Sequence, residues 1–196
     1  MTVVDRAFER ASDQFSRAVA SIEQGSWGNP TVCEVPVREL VEHVVAGNEF
    51  AVRLLGGASA DGARAGIDRV RVRAEPIRQV KTSCAAQARA FSEADRGRLL
   101  PHPSGDIDYD AFVCIRLGEL VVHSWDIAVA TSPEPASMPR LDPAAVADLW
   151  HRMQRHRDRM RQLGSYGDGR RPALAAGASL QERLLDAFGR RADGAC

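Results

Sequence analysis

Glu119 and His123 stand four residues apart in the stretch Leu117-Gly118-Glu119-Leu120-Val121-Val122-His123-Ser124-Trp125-Asp126, which otherwise has the composition of a buried helix. Steps of three and four return to the same side of a helix, so Phe112, Ile115, Glu119, Val122, His123 and Ile127 share one stripe and both polar side chains face the core. An unpaired carboxylate in that position is strongly unfavourable. Either a hydrogen bond between the two residues or a metal ion completed by a third ligand would compensate it. His43 offers that third donor from another segment, on a secondary stripe with Gly47, Phe50 and Leu54. Taken alone, His43 reads as a satisfied core histidine. Together the three make a His2Glu set of the kind borderline divalent ions accept, zinc foremost, with a coordination position left open for chemistry. His102 lies in a proline-rich loop, and His151 and His156 fall on an arginine-rich segment. For these three a solvated surface is the expectation, with a place facing the cleft as the other reading of His156.

The elements that must position these donors are helices. Val4, Phe8, Ala11, Phe15, Val19 and Ile22 recur at alternating steps of four and three, predicting a helix over about 3–24. A second starts at Pro36, carries Val37, Leu40, Val41, Val44, Asn48 and Leu55, and stops at Gly56-Gly57. Residues 56–67 have the composition of a flexible linker. After Pro76 a weaker pattern of Ile77, Val80, Cys84, Ala88 and Phe91 predicts a third helix, and Asp108 can cap a fourth over about 109–131. Val146, Leu149, Trp150, Met153 and Met160 mark a fifth after Pro143, and Ser179-Leu180-Gln181-Glu182 reads as a capping box opening a short last helix, after a loop at 164–178. No segment alternates as a strand would. The fold class is therefore all-α: an antiparallel four-helix bundle over about 3–131 with additional C-terminal helices over about 143–190, in a single domain of 1–196.

The bulk properties narrow the partners. With 26 basic and 26 acidic residues the formal charge is zero, so the clustered basic surface of a nucleic-acid binder is not expected. No apolar run approaches the length of a membrane span, and the charged opening residues lack the core of a signal peptide. The expectation is a cytoplasmic protein acting on a small molecule. Cys33, Cys84, Cys114 and Cys196 are scattered without a paired motif. Cys84 and Cys114 read as small buried side chains and Cys196 as a tail residue.

The segments TVCEVPVRELVEHVVAGNEFAVRLLGG (31–57) and RLGELVVHSWDIAVAT (116–131) resemble the two signature segments of the mycothiol-dependent maleylpyruvate isomerase N-terminal family, part of the larger DinB-like metal-binding bundle group. ASLQERLLDAFGRRAD (178–193) is similar to the ending of stand-alone members. Carried over position by position, the resemblance implies that His43, Glu119 and His123 ligate a divalent metal. It places Trp125 and Asp126 on the family's H-x-W-D ending and Asn48 on a recurrent asparagine. Asp126 then reads as an outer-shell partner or a helix–helix hydrogen bond, Asn48 as a cleft residue or a bridge between helices, and Trp125 as packing. The chain departs from the family at Val32 and Val35, where a proline and a tryptophan are usual. The isomerase has a further C-terminal domain contributing to its active site, so isomerisation of maleylpyruvate itself is not what this chain implies. The implied chemistry is a metal-dependent transferase or isomerase reaction on a small electrophile, with mycothiol as thiol cosubstrate and Arg116 as a cation for cofactor or substrate; a surface salt bridge is the other reading of Arg116. Metal-dependent hydrolysis or cyclisation, and a non-catalytic metal-binding stress-response bundle, are the alternatives. The resemblance also implies a homodimer.

Overall fold

The structure, a computed structural model, describes residues 3–132, 139–162, 174 and 176–190. Seven α-helices appear there: α1 (Val3–Ala20), α2 (Val37–Leu55), α3 (Ala60–Arg64), α4 (Pro76–Glu93), α5 (Tyr109–Thr131), α6 (Pro143–Gln162) and α7 (Leu180–Ala187). No strand occurs among the described residues. Two isolated bridges, Pro30 with Pro36 and Leu100 with Ile107, pin the loops before α2 and α5. The loop of residues 164–173, the side chain of Met160, and Cys196 lie outside the described residues.

The apolar period of α1 does what its spacing demands. Val4, Phe8, Ala11, Phe15 and Val19 are all buried and face α4 and α5. The helix stops at Ala20 rather than 24, and a 3-10 turn follows over Gln24–Gly28. α2 packs on α4 and α5, so α1, α4, α2 and α5 close a ring, the four-helix bundle expected. Pro36 holds the cap position and Val37 the first helical one, one residue later than the sequence suggests. Between the helices the aromatic rings interlock: Phe8 stacks on Phe91 with centroids 4.6 Å apart, and Phe91 meets Phe112 at 5.4 Å.

α5 is buried on nearly every side, because α1, α2 and α6 all pack against it. Asp108 caps it as expected, its Oδ1 accepting the Ala111 amide at 2.8 Å. α6 seats Val146, Leu149 and Met153 on the bundle. α7 opens with the predicted capping box between Ser179 and Glu182. Cys84 and Cys114 are buried, and burial pushes both thiols up, Cys114 to about 12.

Two expectations require correction. Residues 56–67 are not a bare linker: Ser59 caps α3, Ala63 is fully buried, and a 3-10 turn follows at Ile67–Arg69. Val72, a little further on, is fixed from both sides, its amide donating to Glu42 Oε1 at 3.0 Å and its carbonyl accepting from Arg38 at 3.2 Å. The anchors here are single side chains, Ala63 and Val72, that leave no periodic trace. In α4, Ile77 is exposed, while Ser83 and Gln87 join Val80, Cys84 and Phe91 inside. The inward face of α4 is thus partly polar.

Candidate metal centre

α2 and α5 bring the three predicted donors together. His43 Nε2 lies 2.9 Å and His123 Nε2 lies 3.2 Å from the same atom, Glu119 Oε2. One donor atom from each residue falls within 4.8 Å of the others, a group that could hold a metal ion. The two imidazoles meet edge-on at 5.6 Å. Access is graded: the His43 side chain is 60% exposed, Glu119 25% and His123 11%, so the cluster opens to solvent on the His43 side. His43 thus sits at the margin of the apolar face of α2, where its stripe places it, and the reading of it as a core histidine is corrected.

Behind the cluster, His123 Nδ1 donates to Asp126 Oδ2 at 2.8 Å, and Asp126 is fully buried. An ionised carboxylate only accepts, so Nδ1 carries the hydrogen and Nε2 is the nitrogen that faces the cluster. A metal-ligating histidine is held in the same way. This arrangement, and the meeting of two imidazole nitrogens on one carboxylate oxygen, are the observations of the structure that fit a divalent ion. As it stands, the cluster is a chain of charge-assisted hydrogen bonds. Burial pushes His123 down, but the hydrogen bonds and charges of Asp126 and Glu119 outweigh it and raise the imidazole to about 9. Burial pushes Glu119 up, yet His123, His43 and Arg116 hold its carboxyl well below the usual range. Asp126 is likewise held down by His123 and Arg190 against the effect of burial.

Arg116 is neither at the surface nor in a surface salt bridge. It is buried, with Nε donating to Gln87 Oε1 at 2.8 Å and one terminal nitrogen to Asn48 Oδ1 at 3.0 Å. Asn48 in turn donates to Ser83 Oγ at 3.0 Å, so it bridges α2, α4 and α5, as its second reading anticipated. Gly47 makes room: a Cβ there would lie 2.5 Å from a guanidinium nitrogen. Arg116 therefore reaches Glu119 through its field. Trp125 is buried packing, as read from the sequence.

The remaining histidines stay out of the cluster. His102 is half-buried rather than solvated, edge-on to Phe50 at 5.8 Å and tilted against Phe112 at 6.1 Å. His151 is exposed and His156 half-buried. A groove of about 960 Å³ between α2 and α4, lined in part by Glu49, Arg73, Arg78 and Ser83, includes none of the cluster residues.

Sequence reasoning did not find Arg190. Its guanidinium grips Asp126 through both oxygens, Nε to Oδ1 at 3.2 Å and a terminal nitrogen to Oδ2 at 2.9 Å. The same terminal nitrogen lies 3.0 Å from Cys33 Sγ. No period links residue 190 to residue 126, and the resemblance of 178–193 to the ending of stand-alone members assigns no role to this arginine.

An all-α bundle that presents two histidines and a glutamate at the junction of its second helix and its long buried helix belongs to the DinB-like class. The comparisons narrow this further. The family model for the mycothiol maleylpyruvate isomerase N-terminal domain matches residues 8–128, and the chain belongs to that family. Two uncharacterised proteins from two strains of Mycobacterium tuberculosis are 28% identical over 138 residues, covering 69% of this chain and 71% of theirs. No solved structure matches. No helix among the described residues is long and apolar enough to cross a membrane.

Proposed function

We propose that the protein binds one divalent metal ion, zinc foremost, through His43, Glu119 and His123, and adds a low-molecular-weight thiol of the mycothiol type to a small electrophile, as an S-transferase where the C–S bond is kept or as an isomerase where elimination releases the same thiol. The observation that carries this reading is the convergence of both Nε2 atoms on Glu119 Oε2, with Asp126 anchoring the far side of His123, within a chain of the mycothiol isomerase N-terminal family. A divalent ion in this position lowers the pKa of a thiol beside it, so that thiolate is present at neutral pH. The chain's own residues do the rest. Asp126 retains the Nδ1 proton of His123 and so aims Nε2 at the cluster. Glu119 is ionised and committed as a ligand, so it is not the general base. Arg116 favours the ionised form of Glu119, and the exposed edge of His43 leaves the approach open.

The test is elemental analysis of the purified protein after dialysis against a weak chelator, beside His43→Ala, Glu119→Gln and His123→Ala. Retention of about one equivalent of metal by the wild type, and its loss from the variants, supports the centre; assays of thiol addition to small electrophiles, with and without the metal, then test turnover. A wild type with no affinity for any divalent ion makes Glu119, His43 and His123 a hydrogen-bonded cluster and removes the enzymatic reading.

A further inference from the structure

We infer that Arg190 is a positioning residue of the metal centre, supplied by the C-terminal segment and acting through Asp126. The inference rests on the metal reading above and extends it beyond residues 8–128, the span shared with the family.

Asp126 is under two demands. Its carboxylate is fully buried and must present Oδ2 to His123 Nδ1. A buried carboxylate with one partner is free to rotate about its Cβ–Cγ bond and is poorly compensated. Arg190 removes both problems. Its fork meets both oxygens, which fixes the plane of the carboxylate as well as its charge. The guanidinium is itself held, one terminal nitrogen donating to the Phe188 carbonyl at 2.6 Å and the other facing Cys33 Sγ. It is only 16% exposed.

The backbone that delivers Arg190 is also fixed to α5. Phe188 lies over Gly118, where a Cβ would come within 2.8 Å of the ring. The Arg190 amide closes the turn by donating to Leu185 O at 2.8 Å. Gly118 thus lets the segment approach one residue from Glu119, and the chain doubles back to put the guanidinium behind His123. The result is an ordered line from Arg190 to Asp126 to His123 Nδ1, ending at the nitrogen that would bind the ion. A lysine would supply charge but no fork, so Arg190→Lys separates the two contributions.

The experiment uses the full chain loaded with cobalt(II) as the probe, with affinity measured by chelator competition and the ligand field by visible absorption. Arg190→Met is expected to weaken cobalt binding about tenfold, the lower end of the effect of outer partners of a metal-bound histidine, and to alter the visible spectrum. Arg190→Lys should recover part of the affinity. In an Asp126→Asn background, Arg190→Met should cost little more, because the route runs through Asp126. In the metal-free protein, the downfield His123 Nδ1–H resonance should broaden or vanish in Arg190→Met. A wild type that binds cobalt, with Arg190→Met matching it in affinity, spectrum and imidazole resonance, overturns the role of Arg190 alone. An equal loss of affinity in both backgrounds overturns the route through Asp126. A wild type that binds no cobalt overturns the metal reading and this role with it.

Discussion

Metal uptake by this centre should be a competition with a proton on His123, and its pH dependence can be worked from the structure. In the metal-free protein that imidazole is raised to about 9 by Asp126 and Glu119, so at pH 7 about one molecule in a hundred offers a free Nε2. The penalty is about 3 kcal/mol at 1.36 kcal/mol per pH unit. Glu119 adds nothing over this range, because its carboxyl is ionised throughout. Affinity should therefore rise about tenfold per unit from pH 7 to about 9 and then level, with about one proton released per ion bound near neutrality. Chelator competition across that range measures the slope, and calorimetry in buffers of different ionisation enthalpy counts the proton. Asp126→Asn removes the largest of the influences that raise His123, so its break should move to lower pH. A wild-type affinity that is flat between pH 7 and 9, or that breaks at the ordinary histidine value of about 6.5, would mean that no raised proton on His123 competes with the ion.

The same group governs stability without metal. Its folded pKa is raised, from 6.5 to about 9, so its stabilisation is complete below pH 6.5 and is lost as pH rises through 9, up to about 3 kcal/mol. Denaturant unfolding of the metal-free protein at pH 7 and pH 10 should show that decline; equal midpoints would contradict it. Glu119 and Asp126 have depressed pKa values, so their contribution is present above their ordinary carboxylate range and is lost on acidification. Gly47→Ala sets a Cβ against the locked Arg116 guanidinium and should destabilise by about 1–3 kcal/mol, read by urea unfolding. Phe8→Ala opens a cavity against Phe91 and should cost about 3–5 kcal/mol; a loss below 1 kcal/mol would mean that α1 contributes little to the core.

The donors were legible because helical spacing fixes direction: Glu119 and His123 share a face at any fold consistent with that helix, and His43 needed only the second helix beside it. The caps at Asp108 and Ser179 were legible for a similar reason, since they are local. Arg116 was half legible. Its direction along the helix followed from Glu119, but its burial depended on Gly47, Asn48 and Gln87 in two other helices. Arg190 was not legible, because its partners stand 64 and 157 residues away. Side-chain pairs across such distances leave no period, and in a chain with 26 basic residues composition points to none of them. The stretch 56–67 misled through its composition, since a single apolar anchor such as Ala63 is invisible to any measure that averages over a window.

The clamp on Asp126 also has a place in time. In chain order the three donor side chains all precede Arg190, His123 by 67 residues, so the clamp is the last part of the site to be synthesised. Lifting residues 188–190 away from α5 would free Asp126 to turn, and it would leave the contacts that close the ring of α1, α2, α4 and α5 untouched.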